Sequence, residues 1–241
     1  MKKYAIKFLS LMVFAAMCLS MMGMGLLSDD EIVGMYAMEF DMTEMAVTLF
    51  DEGTGMTDVL SIGDYLTEFK LKINYEMRDD LTYSVRLDKN SVREALGSLR
   101  TAAIPFFDDI IFISLVETLA EDGVVIDSRE DLEAMLGMDY EDIYLQILGA
   151  PLEDIVDELL AEAFPEETIE AGFAMDGNYI AIGGRLYTSM SLDEKPDMAG
   201  YEEYSFEDGK LIITAGENIA ESELGVYPMV LERLEEDDIA A

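Results

Sequence analysis

The 241-residue chain carries 52 acidic side chains and no histidine, and this contrast bounds its chemistry. Without an imidazole, Ser-His triads, Cys-His pairs and His-ligated zinc are excluded, together with the commonest general base. What remains is carboxylate chemistry. Asp139, Glu141 and Asp142, or the adjacent Glu202 and Glu203, are the sets a glycoside hydrolase would need, one acid donating a proton and another acting as base or nucleophile. Yet with 52 acids any window contains such a pair, and the absence of tryptophan removes the usual sugar-stacking platform, although Tyr can substitute. Neither a Gly-x-x-x-x-Gly-Lys-Ser/Thr phosphate loop nor a Gly-x-Gly-x-x-Gly dinucleotide fingerprint occurs, and Gly183-Gly184 reads as a turn.

Carboxylate oxygens are also hard ligands suited to calcium. The best acidic loops are Asp51-Glu52-Gly53-Thr54-Gly55-Met56-Thr57-Asp58 and Asp193-Glu194-Lys195-Pro196-Asp197. No EF-hand loop is present, and both segments read as solvated turns. Met35, Met38, Met42 and Met45 are spaced 3, 4 and 3 apart, which on a helix would gather soft thioethers for Cu(I). On a strand they split between faces and serve as core filler. The sequence therefore assigns no catalytic, cofactor-binding or metal residues. A further set of aromatics, Tyr36, Phe69, Tyr83, Phe106, Phe107 and Tyr179, either lines a pocket for a small apolar ligand between sheet and helices or fills the core.

The N-terminus reads as an export signal over residues 1–25. Lys2, Lys3 and Lys7 form a positive n-region, Phe8 to Leu19 is apolar, and Gly23 and Gly25 supply small residues for a cut after Gly25. Apolar character persists to Leu27, so a retained anchor is the alternative, the only case in which the protein meets a membrane. Cys18 is the only cysteine; Met17 before it spoils a lipoprotein box, and a chain cut after Gly25 has neither disulfides nor thiolates. Removing Lys2, Lys3 and Lys7 from the 15 basic residues leaves 12 against 52 acids, a net charge of −40. Such a field repels nucleic acid and anionic lipid and favours cations or basic partners. With 51% apolar residues the chain still buries enough surface to fold. Its localisation is extracellular or at the cell envelope.

These residues must be positioned by an α+β framework of about 215 residues, a single domain over 29–234. Strands are predicted over 32–88, beginning with a strand pair in Ile32 to Phe50. The clearest hairpin follows: Phe69, Leu71, Ile73, Tyr75 and Met77 alternate with polar residues, then Leu81, Tyr83, Val85 and Leu87 do so across an Asp79-Asp80 turn. A helical insertion over 91–164 opens with Ser91 and Glu94 as a capping box and reaches Pro105. A densely apolar helix, Phe106 to Ala120, should be its buried centre, stopped by Gly123. Short helices capped at Ser128 with Asp131 and at Asp139 with Asp142 end near Gly137 and Gly149, and a last one spans Pro151 to Phe164. Strands return over 172–231, with turns at Asp176-Gly177, Gly183-Gly184 and Asp208-Gly209, and Pro228 suggests that the last strand, from Val226, is an edge. Residues 235–241 form an acidic tail.

Gly34-Met35-Tyr36 and Leu49-Phe50-Asp51-Glu52-Gly53-Thr54-Gly55 give a Gly-x-aromatic opening strand. Gly177-Asn178-Tyr179-Ile180, Leu186-Tyr187 and Tyr204-Ser205-Phe206-Glu207-Asp208-Gly209-Lys210-Leu211 give short Asp-Gly hairpins. Together these segments, about a third of the chain, resemble the small exported lipocalin-like (calycin-like) proteins of anaerobic bacteria. The opening aromatic is Tyr36 where lipocalins usually carry Trp, and the helical block departs from a simple barrel. The resemblance implies an antiparallel β meander forming a lipocalin-like partial barrel or curled sheet. No functional residue carries over. The sequence thus points to an exported, non-catalytic binding or interaction protein whose partner is an unknown protein or small molecule. The alternatives are a protein binding a small apolar ligand or calcium, and a carboxylate-based hydrolase.

Overall fold

The computed structural model describes residues 30–54, 60–216 and 227–235. The export signal with Cys18, residues 55–58 of the first acidic loop, the start of the last strand at Val226 and the tail beyond Glu235 lie outside the described residues. Two compact units emerge. One is helical and is formed by residues 42–69 and 93–165; the other carries all the strands and takes the remaining described residues.

Eight antiparallel strands follow one another around a closed barrel: β1 (Gly34–Asp41), β2 (Lys70–Met77), β3 (Thr82–Leu87), β4 (Met175–Ile182), β5 (Arg185–Thr188), β6 (Glu202–Glu207), β7 (Lys210–Thr214) and β8 (Met229–Arg233). The sequence predicts a partial barrel or curled sheet; the structure closes it. β8 is not an edge, because it pairs with β7, Leu231 opposite Leu211, and with β1, Arg233 opposite Tyr36 and Glu232 opposite Ala37. Pro228 stands just before this strand, where its missing N–H costs the ladder nothing. At the β1 end Arg233 lies 5.7 Å from the Tyr36 ring and donates to the Val33 carbonyl at 2.7 Å. The Tyr36 hydroxyl donates to the Ile32 carbonyl at 3.1 Å.

The period-2 alternation of the first hairpin holds. Met77 faces Tyr83, Tyr75 faces Val85 and Ile73 faces Leu87, all buried inside the barrel. Its turn places Leu81 at φ 67°, and Gly183-Gly184 and Asp208-Gly209 close the other two tight turns with positive φ at every position. Antiparallel order gathers these three turns at one end of the barrel and the four longer connections at the other. Asp176-Gly177 makes no turn: both residues lie within β4, paired with Ser84 and Tyr83. The helix α6 (Glu166–Phe173) precedes β4 and packs on β3, where strand was predicted from Gly172.

The helical unit departs further from the sequence reading. Residues 43–54 form helix α1 (Thr43–Thr54), not a second strand. Met42 and Ala46 are buried one turn apart, the first rungs of a 3.6-residue period that the Met-rich composition obscures. Asp51 does not lie in a loop: buried on α1, it accepts from Ser61 Oγ at 2.6 Å and from the Ile62 amide at 2.8 Å. Helix α2 (Lys89–Glu121) runs unbroken through Pro105. Val92, Leu99, Ala103 and Phe106 carry one buried stripe across that residue, and this packing outweighs one lost hydrogen bond. Its cap is Asp88, whose Oδ1 accepts from the Ser91 amide at 2.9 Å, while Ser91 Oγ accepts from Lys72. The Phe106–Ala120 stretch is not a buried centre: only Phe106 is fully covered, and the rest is half-buried or exposed. Helix α3 (Arg129–Leu136) is capped by Ser128 and α4 (Tyr140–Leu148) starts at Asp139, with Gly137 and Gly149 left-handed at their ends. Asp139 makes no side-chain cap; Glu133 Oε1 accepts from the Tyr140 amide instead, at 2.9 Å. Of the apolar residues expected inward on helix α5 (Leu152–Ala163), Leu152 and Val156 are buried, while Ile155, Leu159 and Leu160 are half-buried. No helix among the described residues is long and apolar enough to cross a membrane.

Gly177 is required by close packing. A Cβ there would sit 1.9 Å from the Ser189 carbonyl oxygen and 2.5 Å from the Tyr83 ring, a backbone atom and a buried side chain that cannot both withdraw. Gly177→Ala is therefore expected to destabilise the barrel by at least about 1–3 kcal/mol in urea or thermal unfolding, and an unchanged midpoint would refute this packing.

Candidate functional site

The barrel interior is apolar but for a few residues. Leu71, Ile73, Met77, Val85, Ala181, Leu186, Leu211, Ile213, Met229 and Leu231 are all buried on the inward parity of their strands. Glu202 shares that parity. It opens β6 opposite Leu186, itself paired with Ala181, and its accessible surface is 0%. The adjacent Glu203 faces outward and is exposed, so the two carboxylates nominated as a hydrolytic pair stand on opposite faces of one strand.

Glu202 Oε1 accepts a hydrogen bond from the Tyr227 hydroxyl, whereas Oε2 has no partner. Three further buried oxygens share that state: the Tyr75 hydroxyl on β2 and Thr188 Oγ1 on β5, both on the inward parity, and Asn74 Oδ1 on the outward parity of β2. Thr188 follows Leu186 by two residues, which makes it the diagonal same-face neighbour of Glu202 across the β5–β6 pair. Tyr83, by contrast, commits its hydroxyl to the Ser189 carbonyl at 2.8 Å. Burial pushes the Glu202 carboxyl up to about 8, opposed only by the Tyr227 hydrogen bond, and no cation pairs with it. Burial and the Glu202 carboxylate together raise the Tyr75 phenol, and both also act on Tyr83. Glu202, Tyr75 and Tyr83 thus lie within electrostatic reach of one another.

Next to this end of the barrel Asn178 secures the chain that follows β5. Its Nδ2 donates to the carbonyls of Ser191, Leu192 and Glu194 at 3.1, 3.0 and 2.8 Å. Asp193 and Glu194 of the second acidic loop therefore sit in a turn fixed by its own backbone. Among the described residues no group of three or more His, Cys, Asp or Glu side chains could hold a metal ion. Met35 and Met38 lie on opposite faces of β1 and Met45 on α1, so no single helix face collects the four thioethers.

In the helical unit the polar centre is Arg129. Its guanidinium bridges Asp108 and Asp109 of α2 and stacks over Phe112 and Tyr140 at 5.0 and 5.2 Å. The Tyr65 hydroxyl donates to Asp109, and the Tyr140 hydroxyl donates to the Asp108 carbonyl at 3.1 Å. Burial raises the Asp108 carboxyl; at Asp109 burial is outweighed by the hydrogen bonds from Tyr65 and Arg129, which lower it. Arg129, Glu130, Glu133, Asp139, Tyr140 and Glu141 line an open cleft of about 470 Å³. Two of the three nominated acids, Asp139 and Glu141, meet there, both exposed, and Asp142 is not in the lining. The six nominated aromatics also divide. Tyr36, Tyr83 and Tyr179 are buried in the barrel unit, whereas Phe69, Phe106 and Phe107 belong to the helical unit, where Phe106 packs with Phe50, Phe107 and Tyr65 at 5.7, 5.5 and 6.0 Å.

Sequence reasoning named Glu202 for the wrong pairing and missed Tyr75, Thr188 and Tyr227. One signal was available: Glu202 occupies the register of Tyr204 and Phe206 in its strand. No family model matches the chain, and neither a curated protein nor a solved structure matches it.

Two outcomes test this geometry. An acid whose folded pKa is raised keeps its proton where the unfolded chain has lost it, so Glu202 makes stability fall between about 4.5 and about 8 as pH rises. The slope is about 1.4 kcal/mol per pH unit, and urea unfolding of Glu202→Gln should lose it, becoming more stable than the parent at pH 8. In the helical unit, Arg129→Lys keeps the charge but loses the fork and the stacking. Amide exchange in α3 and α4 should then accelerate by about tenfold or more; unchanged protection would show that Arg129 does not hold these helices.

Proposed function

We propose that this is an exported, non-catalytic binding protein whose barrel interior takes a small ligand that hydrogen-bonds beside Glu202. One observation carries the reading: three buried oxygens, Glu202 Oε2, the Tyr75 hydroxyl and Thr188 Oγ1, have no partner within an otherwise apolar interior. A buried polar atom left unpaired costs about 1–3 kcal/mol, and folded proteins keep few of them without a role. An eight-stranded barrel is of the size that encloses either its own side chains or one small ligand. Export is supported by Lys2, Lys3 and Lys7 ahead of the apolar Phe8 to Leu19. The lipocalin-like resemblance is supported by strand order and by Gly34-Met35-Tyr36 opening β1, and it favours ligand binding by analogy of fold.

A hydrolase finds less support, since among the described residues of the strands no second carboxylate shares the inward face of Glu202, and two converging acids are the minimum for that chemistry. A purely apolar ligand would leave the three oxygens as they are.

Native mass spectrometry of the protein purified from the medium tests the proposal. The expected result is a species heavier than the chain by a small-molecule mass, which is lost on denaturation and absent from Glu202→Gln. A bare mass for the parent protein, with no added species under gentle conditions, would overturn it.

A further inference from the structure

We infer that the uncovered faces of α3 and α4 dock a cationic amphipathic helix, a peptide segment with apolar residues on one side and lysines or arginines on the other. Of the 11 exposed large apolar side chains among the described residues, six fall between positions 125 and 148, so the uncovered apolar surface is concentrated there and not scattered over the chain. Helical spacing explains their placement. Leu132 is buried in the small apolar cluster of the helical unit, and Met135 and Leu136, three and four residues on, are 40% and 44% exposed. On α4 Ile143 is buried, and Ile147 four residues later is 56% exposed; Leu148 stands four residues after Tyr144, which packs on the same cluster. Each exposed residue thus continues the stripe that its own helix buries, and the stripes run on past the cluster that covers them.

One partner helix can reach both stripes. The two helices pack on each other, and Leu136 ends α3 just before the short turn that starts α4 at Tyr140. The nine residues of α4 carry the chain only about 13 Å from that turn to Leu148, whereas a helix of four turns is about 21 Å long. An amphipathic helix laid on such a surface buries its own apolar residues against the stripes.

Charge sets the sign of the partner. From Arg129 to Ala163, the span of α3, α4 and α5, the chain has 11 acids and one basic residue, and the guanidinium of that residue, Arg129, is already bridged to Asp108 and Asp109. The open cleft beside it takes four of those acids, Glu130, Glu133, Asp139 and Glu141, into its lining. A second copy of the chain would set one such acidic face against another, and an anionic lipid surface would be repelled. A cationic helix meets the apolar stripes and the carboxylates of the same helices together, and the acidity of the whole chain draws it in.

The test is fluorescence anisotropy of the exported protein with a labelled peptide of about 14 residues, leucine and lysine at helical spacing. It is run beside the same peptide with glutamate for lysine, and beside a leucine–lysine peptide of strict alternation, which cannot segregate its faces on a helix. The expected result is binding of the first at least about tenfold tighter than either control, weakened by at least about threefold between about 0.05 and about 0.5 M salt. Leu136→Lys with Ile147→Lys should weaken it by about tenfold or more, and Met135→Ser with Leu148→Ser, which adds no charge, by about threefold or more. All four positions are exposed, so the circular dichroism spectrum should be unchanged. Leu192→Lys with Met198→Lys makes the same change at two exposed apolar positions between β5 and β6 and should leave binding within about twofold, as should Glu202→Gln, which alters only the barrel interior. Equal weakening by both lysine pairs would reduce the attraction to diffuse charge and overturn the docking face. Equal binding of the glutamate or the alternating peptide, or no binding, would overturn it as well. A dimer in sedimentation that the Leu136→Lys and Ile147→Lys pair dissociates would give the face to a second copy and likewise refute the cationic helix.

Discussion

Pairing between β8 and β1 is the constraint on which the strand-bearing unit depends. Only two residue pairs make that seam, Arg233 with Tyr36 and Glu232 with Ala37, yet without it both strands would be open edges and the inward faces of all eight strands would lie on a sheet exposed on one side. Closure converts that sheet into an enclosed interior. The tyrosine and arginine of the seam also cover the end of the barrel where the tight turns gather, Arg233 reaching across to the Val33 carbonyl. Gly34 permits this approach, since a Cβ there would meet the guanidinium at 3.0 Å. The opposite end carries the longer connections, and it is where β6 begins with Glu202.

Enclosure is also what gives Glu202 its character. On an open meander the first residue of β6 would be wetted and ionised like its neighbour Glu203. Inside a closed apolar barrel the same side chain loses its water and keeps its proton, with Tyr227 as its hydrogen-bond donor among the described residues. In a chain of such acidity the outer carboxylates repel one another in water, which is inexpensive, while an acid enclosed in the barrel is expensive. That difference, rather than the number of acids, separates a site from a surface.

The helical unit is organised on a different principle. Its small apolar cluster, Ile126, Leu132, Tyr140 and Ile143 with partly buried neighbours such as Phe112 and Leu119, is held by the fork of Arg129 on Asp108 and Asp109. A guanidinium can at once bridge two carboxylates and lie on two rings, which a lysine cannot. Scarce cations serve similarly elsewhere: Arg86 grips Asp176 between β3 and β4 with two bonds of 2.8 and 2.7 Å, and Arg100 pairs with Asp157.

Much of this was legible in the residues. Period-2 alternation placed Leu71, Ile73, Tyr75 and Met77 on one face; Gly183-Gly184 and Asp208-Gly209 announced their turns; Ser128, Gly137 and Gly149 bounded their helices. These are local properties, set by side-chain direction and by which residues tolerate positive φ, and the sequence by itself determines them. The failures are equally specific. Helix α1 was hidden because Met, Phe and Leu suit either period, and Asp176-Gly177 looked like a turn because its strand role depends on Tyr83 and Ser189, distant in sequence. Closure depends on β8 meeting β1, and neither strand encodes its partner. So an acid at position 202 is written in the sequence, but its isolation from water, its donor Tyr227 and its company of Tyr75 and Thr188 were decided only by tertiary structure, because desolvation belongs to the enclosure and not to the residue.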